Sequence, residues 1–448
     1  MVQEAFACTD RPVVRRGVLS ALLVTGLWML PPTARAQYAP NLFPTGVPGY
    51  DQELGVTVVS RLHPLYDEPG VRVGGFLVHL NLDESAGYDS NVLGLPGGGG
   101  SAIIRTSPSL SVKSDWSRNE FGLSLSANNY RYLSEPAQNR TDWSFAVGGG
   151  YTIGRSNLTL SYAHLNLHQG ASGIGAPPTT EPVGVTVNDA RIAYPFVFGL
   201  LTVTPNFEVS LWRYGNAVIN GVTEDQSFRD ANEYRGGAAF DYALSGSTSV
   251  VFTMMAIRSG FLRELPGEPS QSSTSALAMA GIDYQYDGVW RYQAMVGLEA
   301  RVFDASQFQT EVAPIARGTV IWTPSGLTTF TTTFTRAIED PTQAGNSGFT
   351  YTSIEFRVDH EYERNMLLHA RVGGAFTSYL QNGGTQPEFN IGVGSTWLIN
   401  RRMRLNVGYS YTTRNDFVMG SVDGGLANSV SVSGYDRSLF LVALHFGL

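Results

Sequence analysis

Along most of this chain, side-chain character alternates with a period of two, and the alternation runs to the last residue. From Arg437 to Leu448, the residues Phe440, Val442, Leu444, Phe446 and Leu448 fall on one face, and Leu441, Ala443, His445 and Gly447 on the other. Successive side chains of a β-strand point to opposite faces, so this period marks strands. A chain that is strand from near its start to its end leaves two unpaired edges, and closure into a barrel removes them.

The spacing predicts eighteen strands, at 71–83, 101–116, 119–133, 139–153, 157–168, 184–197, 200–216, 226–244, 247–262, 273–286, 289–304, 310–324, 327–340, 348–362, 365–380, 387–399, 402–416 and 433–448. After every even-numbered strand but the last comes a tight turn: Ser117-Arg118, Gly154-Arg155, Phe198-Gly199, Ser245-Gly246, Asp287-Gly288, Ser325-Gly326, Glu363-Arg364 and Asn400-Arg401. Several are glycine-containing pairs of the kind two-residue hairpins favour. Most odd-numbered strands are followed by longer loops, such as 94–100, 169–183 and 417–432. Short turns at one end and long loops at the other are the arrangement of outer-membrane barrels. The fold expected is therefore all-β: a transmembrane antiparallel up-and-down β-barrel of about 18 strands, with 16 as the nearest other count, short periplasmic turns and longer extracellular loops.

Composition agrees. The 448 residues exceed the usual size of one compact core, but a large barrel absorbs them. A mean hydropathy of −0.06 reads as soluble, and a barrel with a greasy outer face and a polar lumen gives the same value. Beyond the N-terminal leader no stretch of eighteen apolar residues occurs, which argues against a helical membrane protein. Residues 1–36 read as a signal peptide: Arg15 and Arg16 precede an apolar run from Gly17 to Leu30, and Ala34-Arg35-Ala36 places cleavage between Ala36 and Gln37. Cleavage would remove Cys8, the single cysteine, and with it any disulfide or cysteine–metal chemistry. Residues 37–70, punctuated by Pro and Gly, form an N-terminal extension on the periplasmic side from which they could enter the lumen; 71–448 form the barrel. A net charge of −8 offers no electrostatic case for nucleic acid.

Trp116, Trp290, Trp322 and Trp397 each lie within three residues of a predicted short turn, as expected of an interfacial aromatic girdle. A charge on the lipid face at mid-depth costs about 2–4 kcal/mol, so charged strand residues belong in the lumen. Pore-lining candidates are Arg105, Lys113, Asp115, Arg229, Glu233, Arg235, Arg291, Glu299, Arg301, Arg317, Glu355, Arg357, Asp359, Arg371, Arg402 and Arg404. Two groups fall on neighbouring strands: Arg291, Glu299, Arg301 and Arg317, then Glu355, Arg357, Asp359, His369 and Arg371. Such charges can select solutes or, since acids and bases are interleaved, pair across strands and stiffen the wall. The sequence carries no HExxH, GxSxG or phosphate-loop pattern, and His164 and His168 on one strand stand about 13 Å apart, too far for one metal. The chain is thus expected to be no enzyme and to need no cofactor or metal.

The run Val59-Ser60-Arg61, Pro64-Leu65-Tyr66-Asp67, Gly70-Val71-Arg72-Val73-Gly74-Gly75-Phe76 and Gly87-Tyr88-Asp89-Ser90-Asn91-Val92 resembles the opening of the outer-membrane β-barrel porins of the beta-barrel porin 2 type. Members of that family are often associated with exopolysaccharide or capsule export. The resemblance implies an outer-membrane barrel, makes polysaccharide passage the leading expectation, and carries over no catalytic residue. The last strand resembles a barrel-assembly signal, with Phe446 and Leu448 at its hydrophobic positions; it departs in ending on Leu and in having Leu441 and Ala443 where a polar residue and Gly are usual. The expected location is the outer membrane of a Gram-negative bacterium, with outer-membrane lipid, lipopolysaccharide, the barrel-assembly machinery and polysaccharide-export components as partners. A general diffusion porin for small solutes, or a non-conducting barrel acting in adhesion or as a scaffold, are the other readings.

Overall fold

The structure, a computed structural model, describes residues 43–448 apart from 45, 51–55, 174–178, 220, 287, 341–346, 381–383, 420–429 and 433. Residues 1–36, expected to be a signal peptide, and the expected cleavage residues Ala36 and Gln37 lie outside the described residues. One sheet links twenty segments, of which Val71–Val73 and Phe196–Phe198 are three-residue arms of tight hairpins. The other eighteen are the wall: β1 (Phe76–Asp89), β2 (Ser101–Ser114), β3 (Glu120–Tyr132), β4 (Arg140–Ile153), β5 (Ser156–Gln169), β6 (Val183–Ala193), β7 (Leu201–Tyr214), β8 (Ala231–Ala243), β9 (Thr248–Phe261), β10 (Ser273–Tyr286), β11 (Trp290–Phe303), β12 (Glu311–Ser325), β13 (Thr328–Glu339), β14 (Phe349–Glu363), β15 (Met366–Tyr379), β16 (Thr385–Asn400), β17 (Met403–Arg414) and β18 (Tyr435–Gly447).

Each strand pairs antiparallel with the next, and the ring closes where β1 meets β18, from Asn81 opposite Gly447 to Asp89 opposite Leu439. Closure leaves no free sheet edge, which is what permits a sheet to cross a bilayer. The terminal alternation is the closing strand, with Phe440 and Phe446 exposed outward and His445 buried inward. Above it Arg437 donates from Nε to Asp89 Oδ1 at 3.0 Å, a fork across the seam on a fully buried carboxylate.

The first strand differs from expectation. Val71–Val73 folds back on Phe76–Val78 through Gly74-Gly75, and pairing continues past residue 83 to Asp89. The stretch Glu84-Ser85-Ala86-Gly87 lacks an apolar alternation, yet it is strand because β2 and β18 pair with it from both sides.

The outer face is apolar: on β11, Val296, Leu298 and Val302 are 67%, 59% and 52% exposed. At the short-turn end, the Trp290 and Trp322 rings stack at 5.4 Å, Trp322 stacks on Phe330 at 5.0 Å, and Phe330 on Phe356 at 6.0 Å. Trp116 and Trp397 are exposed at the same end. Half-wet indole rings suit the membrane interface, so this row is a girdle at the periplasmic side.

Candidate functional site: the barrel lumen

The period of two that greases the outside puts odd or even partners of those residues inside, and the lumen is built from them. Part of its content is the chain's own N-terminal segment. Phe43, Val47 and Tyr50 pack on Ala146, Ala163, Leu165, Val185, Val187 and Trp212, inward residues of β4 to β7. The Tyr50 hydroxyl donates to Asp189 Oδ1 at 2.9 Å. Ser210 Oγ donates to the other oxygen of that carboxylate at 2.6 Å, and Arg191 Nε donates to Oδ1 at 2.8 Å. The Arg191 guanidinium lies over the Phe43 and Tyr50 rings, 4.5 and 4.6 Å from their centroids. Burial, reinforced by the Asp189 charge, pushes the Tyr50 phenol far above its ordinary range, so it stays a donor.

Farther along, residues 58–68 contact the opposite wall at the short-turn end. Val58 N donates to Thr329 Oγ1 at 3.0 Å, and Arg61 pairs with Glu361. Glu68 lies 3.5 Å from Arg404 Nη2 and 2.7 Å from His445 Nε2. Burial works against the charge on Glu68, but the His445 hydrogen bond and Arg404 outweigh it and hold the carboxyl below its usual value. His63 is lowered chiefly by burial. The described residues between 43 and 68 thus contact both sides of the lumen.

The long-loop end is narrowed by other means. In the loop between β5 and β6, Ser172 and Thr179 are buried, and Gly173 O accepts from Arg414 Nη1 on β17 at 3.4 Å, across the mouth. The same loop is tied to its neighbours through Gln138 Nε2 to Thr180 O at 2.7 Å and Thr180 N to Val218 O at 2.9 Å. Around this rim, guanidinium groups lie over tyrosine rings: Arg140 over Tyr130, Arg229 over Tyr214 and Arg414 over Tyr435.

The predicted lining residues separate by height. Arg105, buried, donates to Ser107 Oγ at 2.8 Å near the rim. Glu233 and Arg235 pair on β8, and Arg235 reaches Glu208 at 3.1 Å. Glu299 and Arg301 are buried near the rim, with Arg301 2.9 Å from Asp340. They therefore part from Arg291 and Arg317, expected beside them: Arg291 is ten residues below Arg301, about 30 Å along the strand, and Arg317, opposite Met295, is level with a position four residues below Glu299, about 13 Å. The other expected group is brought together: Asp359 takes Arg357 at 2.8 Å and His369 at 2.6 Å, and Arg371 approaches Glu355 at 3.8 Å. Lys113, inward on β2, lies against Gly46 of the N-terminal segment, and Arg404 holds Glu68.

Three candidates sit outside the strands. Arg229, expected on a strand, is buried in the 3₁₀ turn Ser227–Arg229, because β8 begins only at Ala231. Asp115 follows β2 and pairs with Arg72 in an exposed position. Arg402 is exposed in the turn before β17, where its N donates to Asn400 Oδ1. Conversely Asp189, Arg191 and Glu208 were not among the candidates. Their signal was present: Asp189 and Arg191 share the parity of Val185 and Val187, a charged continuation of an apolar inner face.

No curated protein matches this chain. Among solved structures, the outer membrane protein opdK from Pseudomonas aeruginosa is similar at 13% identity and a TM-score of 0.46, over 83% of this chain and 98% of that one. Pseudomonas aeruginosa OpdO is similar at 14% identity and 0.44, over 84% and 98%. The FrpB iron transporter from Neisseria meningitidis, F5-1 variant apoprotein, is similar at 11% identity and 0.43, over 83% and 81%. The family model described as "Putative beta-barrel porin 2" matches residues 63–424, most of the chain. With its closed eighteen-strand wall and aromatic girdle, this chain belongs to that family of outer-membrane β-barrel porins.

Proposed function

We propose that the chain is a channel in the outer membrane of a Gram-negative bacterium, held narrow at rest by its own residues 43–68, and that it passes a polysaccharide outward. The observation that carries this reading is the placement of that segment inside the lumen. It is held by side-chain hydrogen bonds, ion pairs and ring contacts, and no described part of it is a wall strand, so it can leave without opening the barrel. A pore for unassisted diffusion has no use for such an obstruction. Lumenal Arg and Thr side chains offer the hydrogen bonding that saccharide hydroxyls and acid groups require. Partners consistent with this role are the assembly machinery that inserts the barrel and export components on the periplasmic side.

The test compares the mature chain with a version lacking residues 37–68 in planar bilayers. The mature chain should conduct rarely and the truncated one steadily, and deleting the gene should abolish surface polymer. Steady conduction by the mature chain with surface polymer intact would favour a diffusion porin. No conduction by either protein would favour a scaffold.

A further inference from the structure

The two halves of the lumen differ. One, from β4 to β7, is apolar where Phe43, Val47 and Tyr50 cover it. The other, from β11 to β16, is polar, with a basic band part-way up it, and the pairing register shows how the charges of that band line up. Arg291 is opposite Ile321, which is opposite Thr331, then Arg357, Arg371 and Gly392. Three arginines therefore share one hydrogen-bonded row of the inner face. One pleat higher on the wall, Gln293, Thr319, Thr333, Glu355, Gly373 and Asn390 form a second row, and above that Met295, Arg317, Thr335 and Ser353 begin a third.

Arg317 is exposed to the lumen, and its nearest described polar contact is the Met295 sulfur at 3.7 Å. Glu355, on the second row, lies 3.8 Å from Arg371, and Asp359, one pleat below the first row, is already held by Arg357 and His369. The first two rows, and the third as far as Ser353, therefore carry four arginines against one carboxylate, Glu355, in a chain whose net charge is −8. Between these rows is a shallow recess of about 40 Å³ lined by Glu355, Arg357, His369, Ala370, Arg371 and Gly392. Gly392 is what lets Arg371 lie along the wall there: a Cβ at that position would stand 2.9 Å from Arg371 Nε.

We infer that this wall is a binding track for an acidic saccharide, its carboxylate taken by Arg317 and by the Arg357–Arg371 recess and its hydroxyls by the threonines between them. Guanidinium groups match a carboxylate in a planar, two-bonded fork, and the Thr331, Thr333 and Thr335 hydroxyls can both donate and accept along the path from one to the next. The inference rests on the lumen being the route of a polysaccharide, and it names that polymer's chemistry.

Binding and passage test the two ideas separately. Calorimetry on the full mature chain in detergent would use a glucuronic-acid oligosaccharide and a neutral glucose oligomer of the same length. The acidic sugar should bind at least about tenfold more tightly, and Arg317→Gln and Arg371→Gln should each cost about tenfold for the acidic sugar alone, the worth of one charged hydrogen bond. Gly392→Ala, which disturbs Arg371 without removing a charge, should weaken the acidic sugar in the same sense. Equal affinity for the two sugars, no binding of either, or no effect of Arg317→Gln would overturn the inference. Release of each sugar from vesicles carrying the channel then tests the conduit itself. Selective binding without release overturns the conduit and leaves the site, whereas unselective release overturns the site and leaves the conduit.

Discussion

Glu68 Oε1 stands 2.7 Å from His445 Nε2, while the other nitrogen of that ring is 2.9 Å from Asp83 Oδ1. A residue of the lumenal segment is thus joined, through one imidazole, to the seam strands β18 and β1. Both carboxylates are satisfied when both ring nitrogens carry protons. Glu68→Ala removes the His445 and Arg404 contacts together, and bonds of this charged type are each worth about 1.5–3 kcal/mol. Openings in single-channel records should become at least about tenfold more frequent, with unchanged open-state conductance.

Acid should release the same segment. The Glu68 carboxyl is held below its ordinary value of 4.5, so the docking it provides is complete above that value and fades as pH falls beneath it. His63 is lowered by burial from 6.5, so its contribution is complete above 6.5 and is already falling as pH drops through that value. The two effects add in sign. Opening measured between pH 7.5 and 3.5 should rise in two stages, and His63→Gln should remove only the upper one.

At the other wall, Tyr50 combines a packed ring with a hydrogen bond to Asp189. Tyr50→Phe keeps the ring and should weaken docking by about 1 kcal/mol. Tyr50→Ala loses the packing as well and should cost about 3 kcal/mol or more. Protease cleavage within residues 43–68, followed in folded protein, should rank wild type, Tyr50→Phe and Tyr50→Ala in that order.

Tryptophan position is measurable directly. Single-tryptophan variants keeping Trp290 or Trp322, whose rings stack on the outer face, should be quenched by brominated lipid. A variant keeping Trp212, buried on the lumen side against the N-terminal segment, should not be. Quenching of Trp212 would place the wrong face toward lipid.

The seam offers a stability test. A Cβ on Gly87 would meet Phe440 O at 1.9 Å and Leu441 Cδ2 at 2.8 Å, both on the closing strand. Gly87→Ala should destabilise the barrel by about 1–3 kcal/mol in denaturant titrations, as overpacking does. Gly184→Ala on β6, where nothing stands within 4 Å of the added carbon, should be neutral by the same measurement.

The wall was readable because its instructions are local. Alternation and turn chemistry placed 273–286 on the very residues of β10, and most other strands within a residue or two. The segment 43–68 was not, because it has no period and its partners are remote: Tyr50 meets Asp189 and Glu68 meets His445 only after the ring has closed. Arg229 was misplaced for a related reason, since the polar run 225–230 continues the parity of β8 while turning in a 3₁₀ helix. Membership of the lumen followed from parity, but pairing did not. That Asp359 takes Arg357 and His369 while Arg317 lies against the Met295 sulfur depends on register and height, which no single strand records.

The segment that lies in the lumen leads into β1 only a few residues after Glu68, through Val71–Val73 at the periplasmic end. It is in effect a ligand that cannot diffuse away. A short tether of this kind sustains an effective concentration in the millimolar range. Contacts far too weak to hold a separate inhibitor can therefore keep the pore occupied, and a modest competitor can displace them reversibly.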